Sequence, residues 1–149
     1  MIRVVIADDV QILRTGLKAV LSQDSDIKVV GEAGNGKEVY EMCVRMKPDV
    51  VLMDMRMPDF DGGYGTRKIK DNLKDIKVLV LTTFDDKETV DKAVASGADG
   101  YILKEMDSDK IINSIKVVAG GINVLGDKVL KSIRKEVTVP PDVRNFDIT

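Results

Sequence analysis

Five short apolar runs recur along the chain, each separated from the next by a segment with helical spacing. They are Arg3 to Ala7, Ile27 to Val30, Val50 to Met53, Val78 to Leu81 and Tyr101 to Leu103. Several are apolar at consecutive positions rather than alternate ones. Such strands bury both faces, which calls for a parallel sheet covered on both sides. The intervening segments supply the covers. From Val10 to Ser22, the residues Ile12, Leu13, Leu17, Val20 and Leu21 form one helical stripe. From Asp107 to Ala119, Ile111, Ile112, Ile115, Val118 and Ala119 repeat it, with Asp107 or Ser108 able to cap the start and Gly120-Gly121 the stop. Weaker helical patterns run over Lys37 to Met46, Gly63 to Leu73 and Lys87 to Ala95.

Alternation of this kind predicts an α/β domain: a doubly wound, five-stranded parallel sheet with right-handed crossovers. At this length the flavodoxin-like strand order 2-1-3-4-5 fits, with the third strand central and the fifth at an edge. After Gly121 the texture changes. Asp127 to Lys135 reads as a short, locally basic helix and Val139-Pro140-Pro141-Asp142 as an extended linker. The division expected is therefore a domain over 1–121, then a helix and linker over 122–149 leading to something beyond Thr149.

Composition excludes several chemistries. The chain has no histidine, which removes histidine bases, histidine zinc ligands and serine or cysteine triads. Its net charge is −2, so this segment is a poor nucleic-acid binder by itself. Cys43 is the single cysteine and cannot form an internal disulfide; a reducing, cytoplasmic setting fits. No apolar run approaches the ~20 residues of a membrane span, and Met1 to Asp9 turns acidic too early for a signal peptide.

In open α/β sheets, ligands bind beyond the carboxyl ends of the strands. The residues expected there are Asp8 and Asp9 after the first strand, Asp54 after the third, Thr82 and Thr83 after the fourth, and Lys104 after the fifth. Each has an ordinary alternative: a helix cap for Asp8 or Asp9, a turn for Asp54, a strand residue for Thr82, a surface charge for Lys104. Their convergence on one patch argues otherwise. Clustered carboxylates raise one another's pKa unless a positive charge lies among them. Lys104 and a bound divalent cation are the available charges, and oxygen-only ligands favour Mg²⁺. A central carboxylate beside Mg²⁺, a lysine and a hydroxyl can accept a phosphoryl group, with Asp54 as nucleophile.

The residues Asp8-Asp9, the run VVLMDMRMPDFDG around Asp54, LTTF with Thr82, and GADGYILK with Lys104 resemble the receiver domain of two-component response regulators. The resemblance covers Met1 to about Gly121. Segments such as GEAGNGKE and VVAGG resemble the NarL/FixJ branch, whose members carry a LuxR-type helix-turn-helix domain after a linker. The resemblance implies a CheY-like fold and roles for individual residues. Asp54 would be the phosphoacceptor. Asp9 would bind Mg²⁺ directly, Asp8 mainly through water, and the Arg56 carbonyl would complete the protein's ligands. Thr82 would be the switch hydroxyl, Tyr101 the aromatic that turns inward with it, and Lys104 a phosphoryl contact. Arg56 and Phe84 would shield the phosphoryl group and slow its hydrolysis. A sensor histidine kinase would be the donor, and homodimerisation the output. The dimer face would be the first and fifth helices, or the fourth helix, fifth strand and fifth helix. DNA would be met only through the C-terminal domain outside this chain. Glu105 replaces the proline that many receivers carry after the lysine, so no cis peptide is assumed there.

Three other readings are weaker. Gly31 to Glu38 nearly spells a phosphate-binding loop, but Glu38 stands where a hydroxyl is needed, and the glycines suit the turn from second strand to second helix. An aspartyl-phosphate phosphatase of haloacid-dehalogenase type needs a second Asp at position 56, where this chain has Arg56. A flavodoxin-like ligand-binding module would share the fold and have no use for the acidic cluster.

Overall fold

The computed structural model describes residues 1–82, 87–104, 107–121 and the backbone of 124–125. Strands and helices alternate as β1 (Ile2–Ala7), α1 (Gln11–Leu21), β2 (Ile27–Ala33), α2 (Gly36–Met46), β3 (Val50–Met53), α3 (Gly62–Asn72), β4 (Lys77–Thr82), α4 (Lys87–Ala95), β5 (Gly100–Leu103), α5 (Ser108–Ala119) and β6 (Val124–Leu125). The first five strands are parallel in the order 2-1-3-4-5, as the alternation predicts. One expectation fails at the edge. Val124 and Leu125 pair in parallel with Gly100 and Tyr101, so β5 is an inner strand and β6 takes the border. The Gly120-Gly121 stop, with Gly121 at φ 90°, turns the chain back toward the sheet. Two apolar residues were too short a run to register as a strand. The basic segment 127–135 and the linker beyond it lie outside the described residues.

Consecutive apolar residues in the strands divide between two cores, as two-sided burial requires. Val5, Ala7, Val51, Met53, Val78, Val80 and Tyr101 pack with residues of α2, α3 and α4. Val4, Ile6, Val50, Leu52, Leu79, Leu81 and Ile102 pack with α1 and α5. The α5 stripe is buried as expected at Ile111, Ile112, Ile115 and Val118. The α1 stripe is not. Ile12 is 77% exposed and Leu13 43%, while Leu21 is fully buried. The first turns of α1 stand at the carboxyl edge of the sheet, where Ile12 and Leu13 line a shallow groove with Leu17, Leu81 and Lys104.

Helix starts follow local chemistry. Asn35, Asp61 and Asp107 cap α2, α3 and α5, each accepting an amide hydrogen bond three residues on. The glycines of the false phosphate loop are split: Gly31 lies within β2, at a register irregularity opposite Val5, and Gly36 opens α2. The loop from β3 to α3 folds back over the end of β3. Gly62 donates its amide to the Met55 carbonyl at 3.1 Å. A Cβ there would overlap the Asp54 carbonyl oxygen and lie 2.7 Å from the Met55 Cα, two backbone atoms that cannot yield. Gly62→Ala therefore lowers stability by about 2 kcal/mol or more, read from urea unfolding. A wild-type midpoint contradicts this close approach.

Candidate phosphoacceptor site

Backbone hydrogen bonds carry the sheet pairing past the strand ends and bring the polar residues together. The Asp8 amide donates to Ala33 at 3.0 Å, Asp54 to Ala7 at 2.9 Å and Lys104 to Thr82 at 2.7 Å. Asp8, Asp54 and Lys104 are thereby held side by side at the carboxyl edge. Oxygens of Asp8, Asp9 and Asp54 lie within 4.8 Å of one another. Asp8 and Asp54 are buried and Asp9 is exposed.

Lys104 is the cation among them. Its Nζ donates to Asp8 Oδ2 at 2.7 Å and lies 3.6 Å from Asp54 Oδ2. The other Asp8 oxygen accepts the Val10 amide at 2.9 Å. The ordinary alternative of a helix cap does not hold: α1 begins after Val10 with no side-chain cap, and the Asp8 carboxylate is turned toward Val10 N–H and Lys104. Asp54 is held less tightly. Among the described residues, its Oδ1 accepts a long 3.4 Å hydrogen bond from the Arg56 amide and no other. Burial pushes the Asp54 carboxyl up to about 6; Lys104 opposes the shift and Asp8 and Asp9 add to it. Three clustered acids with one lysine are left short of positive charge, and all their donors are oxygens. The residues fit a hard divalent cation.

Thr82 is fully buried at the end of β4, opposite Leu103 in the register. Tyr101, expected to turn inward in one state, is already inside, 1% exposed and packed with Val80, Val90 and Ala93. Arg56 is exposed on the loop after β3, and its Nη2 reaches Thr89 Oγ1 on α4 at 3.4 Å. Asp9 and Arg56 line one wall of an open cavity of about 640 Å³; Glu88, Thr89 and Lys92 of α4 line another. Phe84 and Glu105 lie outside the described residues. Cys43 is buried, with its thiol pushed up to about 12 by desolvation, so thiolate chemistry has no place here.

Two residues near this edge make contacts that the sequence does not announce. Lys92 on α4 pairs with Asp61, and Gly63 leaves room for the lysine stem. Arg14 on α1 donates to the Asp8 carbonyl and to Glu32 of β2. A paired polar residue one turn into an amphipathic helix leaves no mark in spacing.

The raised Asp54 value carries a stability consequence. The fold holds this proton more tightly than the unfolded chain does, so stability is lost as pH rises from about 4 to about 6. Asp54→Asn should be more stable than wild type at pH 7.5 in a chelator, by on the order of 1–3 kcal/mol and with a higher melting temperature, and the gap should close below about pH 4. A lower or equal melting temperature for the variant at pH 7.5 contradicts the buried-carboxylate account.

Residues 4–116 match the family model for the response regulator receiver domain. Transcriptional regulatory protein DegU of Brevibacillus brevis is 40% identical over 135 residues, which cover 91% of this chain and 57% of DegU. Response regulator protein VraR of Staphylococcus aureus is 39% identical over 136 residues, 91% of this chain and 65% of VraR. The chain thus spans less than two thirds of the length of these curated relatives. Among solved structures, the NarL signal receiver domain of Mycobacterium tuberculosis superimposes with a TM-score of 0.77 at 32% identity, covering 80% of this chain and 97% of that one. A LuxR-family two-component response regulator from Aurantimonas sp. SI85-9A1 gives a TM-score of 0.85 at 26% identity, covering 91% of this chain and 97% of that one. Family match, strand order and the acidic edge agree: this chain belongs to the response regulator receiver family.

Proposed function

We propose that the chain is the phosphoacceptor part of a two-component response regulator that controls transcription. The observation that carries this is one ammonium set between two buried carboxylates, 2.7 Å from Asp8 and 3.6 Å from Asp54, at the carboxyl edge of the sheet. A surface ion pair needs one acid; this arrangement leaves Asp54 underpaired beside a cation that a phosphoryl oxygen could also use.

In this reading an Asp54 carboxylate oxygen attacks the phosphorus of a phosphohistidine on a sensor histidine kinase. The new O–P bond forms as the P–N bond breaks, and the imidazole nitrogen keeps the electron pair and takes a proton from water. Asp8, Asp9, Asp54 and the Arg56 carbonyl would hold Mg²⁺, which when bound neutralises phosphoryl charge. Lys104 and the Thr82 hydroxyl take up the phosphoryl oxygens. Arg56 and Phe84 shield the product, and self-dephosphorylation is slow. Arg56 also counts against a phosphatase, since it stands where that chemistry needs a second acid.

The phosphoryl group adds charge and acceptor oxygens at Asp54, and Thr82 shifts toward them. Tyr101 shares a core with Val90 and Ala93 of α4, so a change at the end of β4 is felt at the α4 surface. The result is a shift between two pre-existing states. Its output is homodimerisation, which brings two LuxR-type helix-turn-helix domains onto adjacent half-sites. Those domains would follow the receiver, whose sheet runs on to β6 (Val124–Leu125), and a connecting segment after it. The setting is cytoplasmic; among the described residues no helix is long and apolar enough to cross a membrane.

Incubation with acetyl phosphate and MgCl₂, followed by intact-mass spectrometry, should reveal one long-lived phosphoryl adduct that Asp54→Asn abolishes. Beryllofluoride should shift the wild type, but not the variant, to dimer size on gel filtration. An adduct that survives in the variant, or rapid multiple turnover of the donor, contradicts the phosphoacceptor. An unchanged size contradicts the dimer.

A further inference from the structure

Behind the acidic edge lies a charged assembly that the proposed chemistry does not use. Arg14, on the first turn of α1, donates Nη1 to the Asp8 carbonyl oxygen in a close contact and Nε to Glu32 Oε1 at 3.2 Å. The Arg14 side chain is 18% exposed. Lys18, one turn further along α1, lies 4.0 Å from the second Glu32 oxygen. One guanidinium therefore ties together α1, the carboxyl end of β1 and the end of β2.

The carbonyl it holds belongs to the peptide that joins Asp8 to Asp9. Turning that peptide turns the Asp9 carboxylate. Asp8 is independently fixed, by the Val10 amide on one oxygen and Lys104 on the other. The exposed Asp9 carboxylate accepts no hydrogen bond from the described residues. The direction of its Cα–Cβ bond is set by the two peptides that flank it: Arg14 holds the carbonyl of the first, and the Asp8 carboxylate holds the amide of the second.

We propose that Arg14, anchored by Glu32, is a positioning residue that aims Asp9 at the divalent cation. Glu32 has a second duty. A bare guanidinium this close would repel the cation, and the Glu32 carboxylate offsets it. The idea rests on the metal-binding reading above.

It also makes a prediction whose sign opposes simple electrostatics. Removing a positive charge near a cation site should tighten binding. Losing an outer partner that orients a ligand instead weakens it, by roughly 10–100-fold. Mg²⁺ binding is measured by isothermal titration with MgCl₂, and unfolding midpoints in chelator are recorded for the same proteins.

Arg14→Met should bind Mg²⁺ about tenfold more weakly or worse. Arg14→Lys keeps the charge but lacks the two-pronged grip, and should not restore binding. Glu32→Gln should weaken it several-fold. In an Asp9→Asn background, Arg14→Met should cost less than about twofold more, since its effect runs through Asp9. A merely structural Arg14 would lower the unfolding midpoint and leave the Mg²⁺ affinity of the folded protein in place. Equal or tighter binding by Arg14→Met overturns the proposal. If that variant does not fold, unchanged affinity in Glu32→Gln overturns it. A wild type that takes up no Mg²⁺ overturns the metal reading and this proposal with it; a binding wild type with an unaffected Arg14→Met overturns this proposal alone.

Discussion

The Lys104 ammonium is the interaction on which the rest of this edge depends. Asp8 and Asp54 are both buried, and two buried carboxylates within a few ångströms cannot both stay charged without a counter-charge. Lys104 supplies one charge and gives most of it to Asp8. Asp54 is left as the weaker partner, with its carboxyl raised. Under the proposed phosphoacceptor function, this imbalance is what would make the edge useful. A fully neutralised cluster would have no call for a cation, and an Asp54 locked in a tight ion pair would be a poor nucleophile.

The surrounding fold serves to hold that imbalance in place. Parallel pairing aligns the ends of β1, β3 and β5, so that residues distant in sequence meet without a long loop. The β3–α3 loop closes over Asp54 because Gly62 has no Cβ to keep it away. Asp61 caps α3 and pairs with Lys92 on α4, and Arg56 reaches Thr89 on the same helix. The loop that follows Asp54 is thus tied to α4, and α4 shares its core with Tyr101. A charge change at Asp54 has a short mechanical route to an outer surface.

Much of this was legible in the sequence because the signals were strong and local. Consecutive apolar residues in Val50 to Met53 mark a strand buried on both faces, and that is where β3 lies. The positions just beyond the strands carry Asp8, Asp54 and Lys104, and the fold brings them together. What was missed depended on geometry rather than composition. Ile12 and Leu13 follow helical spacing yet stay exposed, because spacing cannot tell where a helix outruns the sheet that covers it. β6 is two residues long, too short to show a period. Arg14 and Lys92 act through partners far away in the chain, and nothing in their immediate neighbours announces those contacts.

Asp54, Asp8, Asp9 and Lys104 would together form one electrostatic unit that takes up a divalent cation. Carbon-detected NMR titration of the Asp54 side-chain carboxyl tests it most directly. Without divalent cation, Asp54 should titrate near pH 6, and saturating MgCl₂ should move that midpoint clearly downward. An Asp54 that titrates in the ordinary carboxylate range and does not respond to Mg²⁺ would contradict the account.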